Sequence, residues 1–181
     1  MKKFINIEKH NITKKMINSK PKNRYQNNYS IGTFTDYLNL EFGVSDYCSG
    51  YHFDYTIIDM YLGSMGSIKI SKAYAPWSKF RVAAEKISHF KVELIEAHEK
   101  KDNMDVQMAV DMIDTLYRHP EINLYVVISG DIDFAYAIRK IKQNRDVKVL
   151  LISEENSLNQ KYHRIVDKVV SYQRLMRLYW M

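Results

Sequence analysis

Residues 122–134 of the chain have the sequence INLYVVISGDIDF, in which an apolar segment is followed by Ser-Gly and then by two aspartates one residue apart. The segment 122–128 is almost entirely apolar, as a strand must be when helices cover both faces of its sheet. Gly130 permits a tight turn and lets a ligand approach the backbone closely. Asp131 and Asp133 therefore follow a buried strand at its carboxyl end, which is where open α/β sheets bind their ligands.

Short apolar segments alternate with longer amphipathic ones on both sides of this stretch. The helix predicted at 104–117 has the clearest apolar stripe, with Met104, Met108 and Met112 on one face. Alternation of strands and helices is typical of a parallel sheet with helices on both faces. We predict strands at 31–36, 67–75, 90–95, 122–128 and 147–152, and helices at 53–62, 78–88, 104–117, 134–141, 157–166 and 170–181.

Two further aspartates accompany the pair after the fourth predicted strand. Asp36 ends the first strand, and Asp105 lies in the first turn of the helix predicted at 104–117. If the first and fourth strands are neighbours, Asp36 and Asp131 face each other at one edge of the sheet. Asp133 is also placed to be the N-cap of the helix that follows. Each aspartate alone is explained by a turn or a cap, but the combination favours a site for Mg²⁺ or Mn²⁺, which prefer oxygen ligands.

Four segments, taken in order, resemble a known family. They are DYLN at 36–39, AYAPW at 73–77, KDNMDVQMAVD at 101–111 and SGDIDF at 129–134. Together they resemble the NYN domain, specifically its LabA-like branch, within the PIN-like nuclease superfamily. The resemblance implies an α/β fold, a PIN-like three-layer α/β/α sandwich with a mainly parallel central sheet. It also implies a divalent-metal site and ribonuclease activity.

The resemblance also assigns roles to individual residues. It implies a metal-dependent endoribonuclease that hydrolyses RNA phosphodiester bonds with Mg²⁺ or Mn²⁺, with Asn39 holding Asp36 or a water. Asp111 matches the family as well, but six residues after Asp105 it lies on a different face of the helix. The alternative is an RNA- or protein-binding module of the same fold with weak or no catalysis. The predicted metal ligands are Asp36, Asp105, Asp131 and Asp133, and the predicted catalytic residues are these four and Asn39.

Charge separates a basic arm from the rest of the chain, and an amphipathic pattern marks a third region at the C-terminal end. Residues 1–30 contain eight Lys or Arg and one acidic residue, whereas the remainder is close to neutral. This basic N-terminal arm is expected either to hold RNA phosphates or to be a solvated tail. The domain proper is placed at 31–170, followed by an amphipathic helix at 171–181. The apolar stripe of that helix predicts docking on its own domain, or else a homodimer or a protein partner.

Composition excludes several classes of protein. No apolar run approaches the roughly 20 residues of a membrane-spanning helix, and no secretory signal is recognisable. Cys48 is the only cysteine, which excludes a disulfide scaffold and a thiolate zinc site and is typical of a reducing, cytoplasmic environment. The Asp-x-Asp nucleophile of haloacid-dehalogenase-like phosphatases is disfavoured because it follows a first strand, not a fourth. Tyr74 and Trp77 either stack on bases or pack within the domain.

Overall fold

A computed structural model describes residues 29–47, 51–97, 101–144 and 146–179. All but the last two residues of the predicted basic arm lie outside the described residues. Cys48 and Trp180 lie outside them as well. The first strand begins at Tyr29, two residues before the predicted start of the domain.

Six parallel strands form the sheet of the described residues, which confirms the predicted α/β class. The strand order is β3-β2-β1-β4-β5-β6, so the chain builds outward from β1 in one direction and then in the other. This order places a topological switch point between β1 and β4. The strands are β1 Tyr29–Asp36, β2 Gly66–Ala75, β3 Glu93–Glu96, β4 Leu124–Ile128, β5 Lys148–Ser153 and β6 Lys168–Ser171.

Helices cover both faces of the sheet and complete a three-layer sandwich, as predicted. On one face lies a core cluster formed with α1, α2, α3 and α6, and on the other a cluster formed with α4 and α5. The β4 strand supplies alternate residues to both clusters, which is why its sequence is apolar throughout. The helices are α1 Tyr37–Tyr47, α2 Tyr55–Gly63, α3 Arg81–Ser88, α4 Lys101–Arg118, α5 Ala135–Lys142 and α6 Tyr172–Tyr179.

The structure differs from the predicted elements in three places. The prediction missed α1, whose apolar spacing is weak but whose Leu40 and Val44 are buried in the core. It also missed β6, a strand of four residues that is too short to show periodicity. The helix predicted at 157–166 is only a 3₁₀ turn at Gln160–Arg164. Tertiary packing, which local sequence does not show, determines these segments.

The C-terminal helix docks on its own domain. Tyr172 and Leu175 of α6 are fully buried, and the helix packs against α2. The Tyr172 hydroxyl also donates a hydrogen bond to the backbone carbonyl of Asp54 at 3.1 Å. Among the described residues, none of the helices combines the length and the apolar character needed to cross a bilayer.

Candidate metal centre

The first and fourth strands are neighbours, which is the condition under which Asp36 and Asp131 should meet. In the β1–β4 ladder Thr35 is paired with Ile128, so Asp36 and Ser129 follow at the carboxyl ends of adjacent parallel strands. Asp36 is buried, and the Ser129 hydroxyl donates a hydrogen bond to its Oδ2 at 3.2 Å. The turn that carries Asp131 therefore begins beside Asp36, at the switch point of the sheet.

Strand alternation turns Asp36 toward α4. Successive side chains of a strand point to opposite faces, so Asp36 shares a face with Phe34. Phe34 belongs to the core cluster that also contains Met104 and Met108 of α4. Asp105 follows Met104 directly and is half-buried. Because α4 begins at Lys101, Asp105 lies in its second turn and not, as predicted, in the first.

Three of the predicted aspartates form one compact group. Asp105, Asp131 and Asp133 each offer a carboxylate oxygen, and these oxygens all lie within 4.8 Å of one another. Asp36 is not a member of this group, although the sequence places it in the predicted trio with Asp105 and Asp131. It lies close enough for their charges to act on it. The pKa of Asp36 is raised from 3.8 to about 6, first by burial and then by the negative charges of Asp105 and Asp131.

Asn39 contributes to the site differently from the prediction. Its backbone N–H donates to Asp36 Oδ1 at 3.2 Å, whereas its side-chain Oδ1 accepts the Gly130 N–H at 2.8 Å. The Ser157 hydroxyl donates to the same Oδ1 at 3.4 Å. Asn39 thus joins the turns after β1, β4 and β5, and its backbone, not its side chain, contacts Asp36.

Gly130 is required by the closeness of two turns. A Cβ at this position would lie 2.3 Å from the carbonyl oxygen of Ser157 and 2.6 Å from Ser153 Oγ. Contacts that short between non-bonded atoms cannot be accommodated without moving backbone. The glycine therefore allows the turn after β4, which carries Asp131, to pack directly against the turn after β5.

The turn that follows Gly130 is capped by Asp131 and not by Asp133. Asp131 Oδ1 accepts the Asp133 N–H at 3.1 Å, at the start of a 3₁₀ turn at Ile132–Phe134 that leads into α5. The prediction of Asp133 as the N-cap is therefore wrong. Asp133 is exposed, and its carboxylate remains available beside that of Asp131. The Tyr162 hydroxyl donates to the backbone carbonyl of Asp131 and secures the turn from the opposite side.

Sequence reasoning missed one carboxylate in the cleft. Glu154 is buried and directly follows β5, which ends at Ser153. Its Oε2 accepts the backbone N–H groups of Asn156 and Ser157, both at 2.8 Å, and its Oε1 accepts from Gln173 Nε2 at 2.6 Å. The sequence signal that could have identified Glu154 was its position shortly after the strand predicted at 147–152. Its hydrogen bonds are local and structural, so it shapes the wall of the cleft.

Several of these residues line a cleft of about 460 Å³, which we call the acidic cleft. One side is the face of α1 that carries Asn39 and Phe42, and the other is formed by the turns after β4 and β5. Its lining contains both polar and apolar side chains. The cleft is open to solvent on the side of Phe42 and Asp46, which are exposed. The residues that line it are Asp36, Leu38, Asn39, Phe42, Gly43, Asp46, Met104, Asp131, Glu154, Asn156 and Ser157.

Other candidates from the sequence are occupied elsewhere. Asp111 accepts hydrogen bonds from Lys72 Nζ at 3.1 Å and from the Tyr74 hydroxyl at 2.7 Å, so it joins α4 to β2. Tyr74 and Trp77 are buried, and the Trp77 indole donates to the carbonyl of Ala73. The prediction that these two aromatic residues stack on bases is therefore wrong, and the packing alternative is confirmed.

The donor set suits a small divalent cation. Two oxygens bound to one Mg²⁺ at about 2.1 Å lie at most about 4.2 Å apart. The spacing of 4.8 Å or less between Asp105, Asp131 and Asp133 reaches this limit with small side-chain rotations. Burial is the main cause of the raised pKa of Asp36 and the negative charges of Asp105 and Asp131 add to it, so a cation bound beside these acids would favour the ionised form of Asp36.

Comparison with known proteins gives a family and a fold. The family model of the NYN domain matches residues 30–173. Among solved structures, the chain is similar to a protein of unknown function from Vibrio parahaemolyticus, with a TM-score of 0.64 and 19% sequence identity over 83% of this chain and 96% of that one. At this identity the likeness concerns the fold alone. No curated protein matches the chain.

Proposed function

This chain belongs to the NYN domain family, and on that premise we propose that it is a metal-dependent endoribonuclease. Members of the family have a PIN-like nuclease fold and are generally nucleases. The single observation that carries the proposal is the group of three carboxylates at the switch point of the sheet, beside a fourth that is buried. Conversely, Asp111, which matches the family but lies on a different face of the helix from Asp105, is paired with Lys72 and Tyr74.

Asp105, Asp131 and Asp133 would hold the cation, and Asp36 would join them from the floor of the cleft. Mg²⁺ or Mn²⁺ in such a site supplies a nucleophilic water at neutral pH and offsets the charge that develops on a phosphodiester. Burial and the charges of Asp105 and Asp131 raise the pKa of Asp36, and a divalent charge beside it would favour its ionised form.

The remaining residues keep these carboxylates in position. Ser129 donates to Asp36 through its hydroxyl and accepts the Asp131 N–H at 3.1 Å, so one side chain aligns both acids. Asn39 and Gly130 hold the turn after β4 against α1. Preorganisation of this kind places ligands before the substrate arrives, and second-shell hydrogen bonds of ligating carboxylates are part of a metal site's affinity.

The direct test is cleavage of a labelled RNA by the purified full chain with Mn²⁺ or Mg²⁺, with and without a chelator. We expect cleavage with either cation and none with the chelator. The Asp131→Asn variant should bind RNA as the wild type does but fail to cleave it. Metal-dependent cleavage that persists in this variant would contradict the site. Binding without cleavage by the wild type would favour the alternative, a binding module of the same fold.

Finer assignments belong to the same proposal. We place the chain in the LabA-like branch because the four motifs occur in its order, and we propose a cytoplasmic location because the chain has a single cysteine. RNA is the proposed partner of the basic arm. A homodimer or protein partner through the C-terminal helix has weaker support, since Tyr172 and Leu175 of that helix are buried within the domain.

A further inference from the structure

A second cleft lies on the opposite side of α1. Leu38, Asn39 and Phe42 line the acidic cleft, whereas Tyr37 and Glu41 line the second one. At about 100° per residue these two sets occupy different faces of the helix. The second cleft has a volume of about 1030 Å³ and extends from α1 to α3 and the segment 51–56. We call it the aromatic cleft.

Aromatic rings form much of its wall. Tyr37 packs against Phe80 with ring centroids 5.6 Å apart, and Phe53 packs against Tyr37 at 6.1 Å. Phe80 and Phe90 are half-buried, so part of each ring remains accessible, and Tyr51 is 47% exposed at the rim. Aromatic rings exposed in a cleft are the platforms on which unpaired bases stack.

Three cations line the aromatic cleft beside these rings and form no ion pair with a described acidic residue. Lys79, Arg81 and Lys86 are exposed, and none of them forms an ion pair with another described residue. Some exposed cations are paired, as Arg177 is with Glu155 at 3.3 Å, and others, such as Arg139 and Lys140 of α5, form no ion pair with a described residue. What distinguishes Lys79, Arg81 and Lys86 is their position in the lining of the aromatic cleft. Unpaired Lys and Arg beside exposed rings match the charge and the chemistry of a nucleic-acid strand.

The two acids of the cleft are already engaged. Glu41 is buried, accepts the Phe53 N–H at 2.9 Å through Oε2 and contacts His52 Nδ1 at 2.5 Å through Oε1. Asp54 is the N-cap of α2 and accepts the Thr56 N–H at 2.8 Å. Both carboxylates are held by hydrogen bonds within the domain, so the side chains that extend freely from the wall are the cations.

We propose that the aromatic cleft is a second nucleotide-binding subsite, which stacks one or two unpaired nucleotides of the RNA strand cut in the acidic cleft. This inference rests on the proposed function, since it requires that RNA is the substrate. The two clefts are separated by the width of α1, about 10 Å, which an extended strand can cross. Because paired bases do not expose the faces that stack, the subsite favours single-stranded segments beside the scissile bond.

The test separates binding from cleavage by measuring binding without metal. A fluorescent single-stranded oligonucleotide is titrated with the full chain in chelator over a range of salt concentrations. For the double variant Lys79→Ala with Arg81→Ala we expect the Kd to rise about tenfold near physiological salt, because two phosphate contacts are lost. The slope of log affinity against log salt should fall by about 1.4, since each phosphate contact on a single strand contributes about 0.7.

Two further variants make the result specific. Arg139→Ala with Lys140→Ala removes the same charge from exposed positions of α5, on the other face of the sheet, and should leave the Kd within about twofold because it removes only distant charge. Tyr51→Ala should weaken binding about fivefold or more without changing the salt slope, because it removes stacking and not charge. Equal losses in both double variants would overturn the subsite, as would unchanged binding in the first.

Cleavage assays then distinguish the two proposals. With Mn²⁺, the Lys79→Ala and Arg81→Ala double variant should show a higher KM for the oligonucleotide and an unchanged kcat. If the wild type does not cleave RNA, the proposed function is contradicted. The binding titration in chelator does not depend on cleavage, so it still tests whether the aromatic cleft binds nucleotides. A loss of kcat equal to the loss of affinity would contradict a subsite that only binds.

Discussion

The two sides of α1 present opposite chemistry. The acidic cleft is the smaller, and it is lined by Asp36 and Asp131, which lie at the end of β1 and in the turn after β4, with Ser129, Asn39 and Gly130 fixing the turns between them. The aromatic cleft is about twice as large and is lined by rings and by cations that form no ion pair with any residue the structure describes. One helix thus separates acids held by hydrogen bonds from a wall of aromatic rings and cations. The comparison suggests that chemistry and strand binding depend on different residues and can be removed separately.

Asp131→Asn should produce the largest effect, and only on the acidic side. Removing a hydrogen-bond partner of a metal ligand costs about 10- to 100-fold, so removing a ligand's charge should lower kcat by more than about 100-fold. RNA binding in chelator should not weaken. Asp114→Asn is the matched control, since Asp114 is an exposed aspartate of α4 that pairs with Arg118. Equal activities of the two variants, measured on a labelled RNA, would remove Asp131 from the site.

Asp36 should make the stability of the metal-free protein depend on pH. Its pKa is 3.8 ordinarily and about 6 in the folded protein, so between these pH values the folded state holds a proton that the unfolded chain has released. The free energy of unfolding should therefore fall as pH rises through this window, by about 3 kcal/mol in total. Urea denaturation at several pH values in chelator measures the effect.

Asp36→Asn should remove most of that dependence, because its side chain is neutral at every pH. Asp46→Asn is the control, since Asp46 is exposed at the rim of the same cleft. A metal site should also respond to the raised pKa, since protonation of a carboxylate competes with the cation. A pH profile of stability that is identical in the wild type and in Asp36→Asn would contradict the environment described here for Asp36.

Gly130→Ala should distort the acidic cleft through the backbone. The added Cβ would overlap the carbonyl oxygen of Ser157, and overpacking of this kind costs about 1–3 kcal/mol. Gly63→Ala is the matched control, because nothing lies within 4 Å of the Cβ it would add. Thermal melting of the two variants should show a lower Tm for the first and little change for the second. A Tm for Gly130→Ala equal to that of the wild type would show that the two turns do not need to be in contact.

Deleting residues 1–28 should have the smallest effect on cleavage. The deletion removes eight cations and one acid but retains β1, which begins at Tyr29. RNA binding should weaken and its salt dependence should flatten, whereas kcat at saturating RNA should not change. If the segment instead packs on the domain, the truncated protein should show a lower Tm and an unchanged salt slope. Both quantities are measured on the same truncated protein.

Most of the fold was predictable because its signals are local. The apolar β4 and the periodic α4 are recognisable from their own residues, and alternation of such segments predicts a parallel sheet. By contrast, α1 has few periodic apolar residues and is held by the burial of Leu40 and Val44. The segment 157–166 carries apolar residues at helical spacing, yet only a 3₁₀ turn forms there because Tyr162 anchors it to the turn after β4.

The site was predictable to a smaller extent. Position at strand ends and the motifs of the family predicted four aspartates and Asn39 as site residues, which stays a prediction, and they did not predict their relative arrangement. The prediction joined Asp36 to Asp105 and Asp131, whereas the compact group contains Asp133 in its place. Side-chain direction at the end of a turn depends on its caps, and Asp131 is the cap here. Glu154 escaped notice because a glutamate after a strand has no distinctive pattern.

The sequence by itself determined which acids the protein carries, that they follow strands or open helices, and that its basic charge is concentrated before the first strand. These are properties of composition and spacing, which need no knowledge of distant contacts. Only the tertiary structure decided which acids lie close together. The strands β1 and β4 are neighbours in the sheet although they are not consecutive in the chain, and local sequence does not show this order. It alone also decided that α1 separates two clefts. The clefts beside a helix are formed by the elements that pack around it. The residues of the helix itself do not show which elements those are.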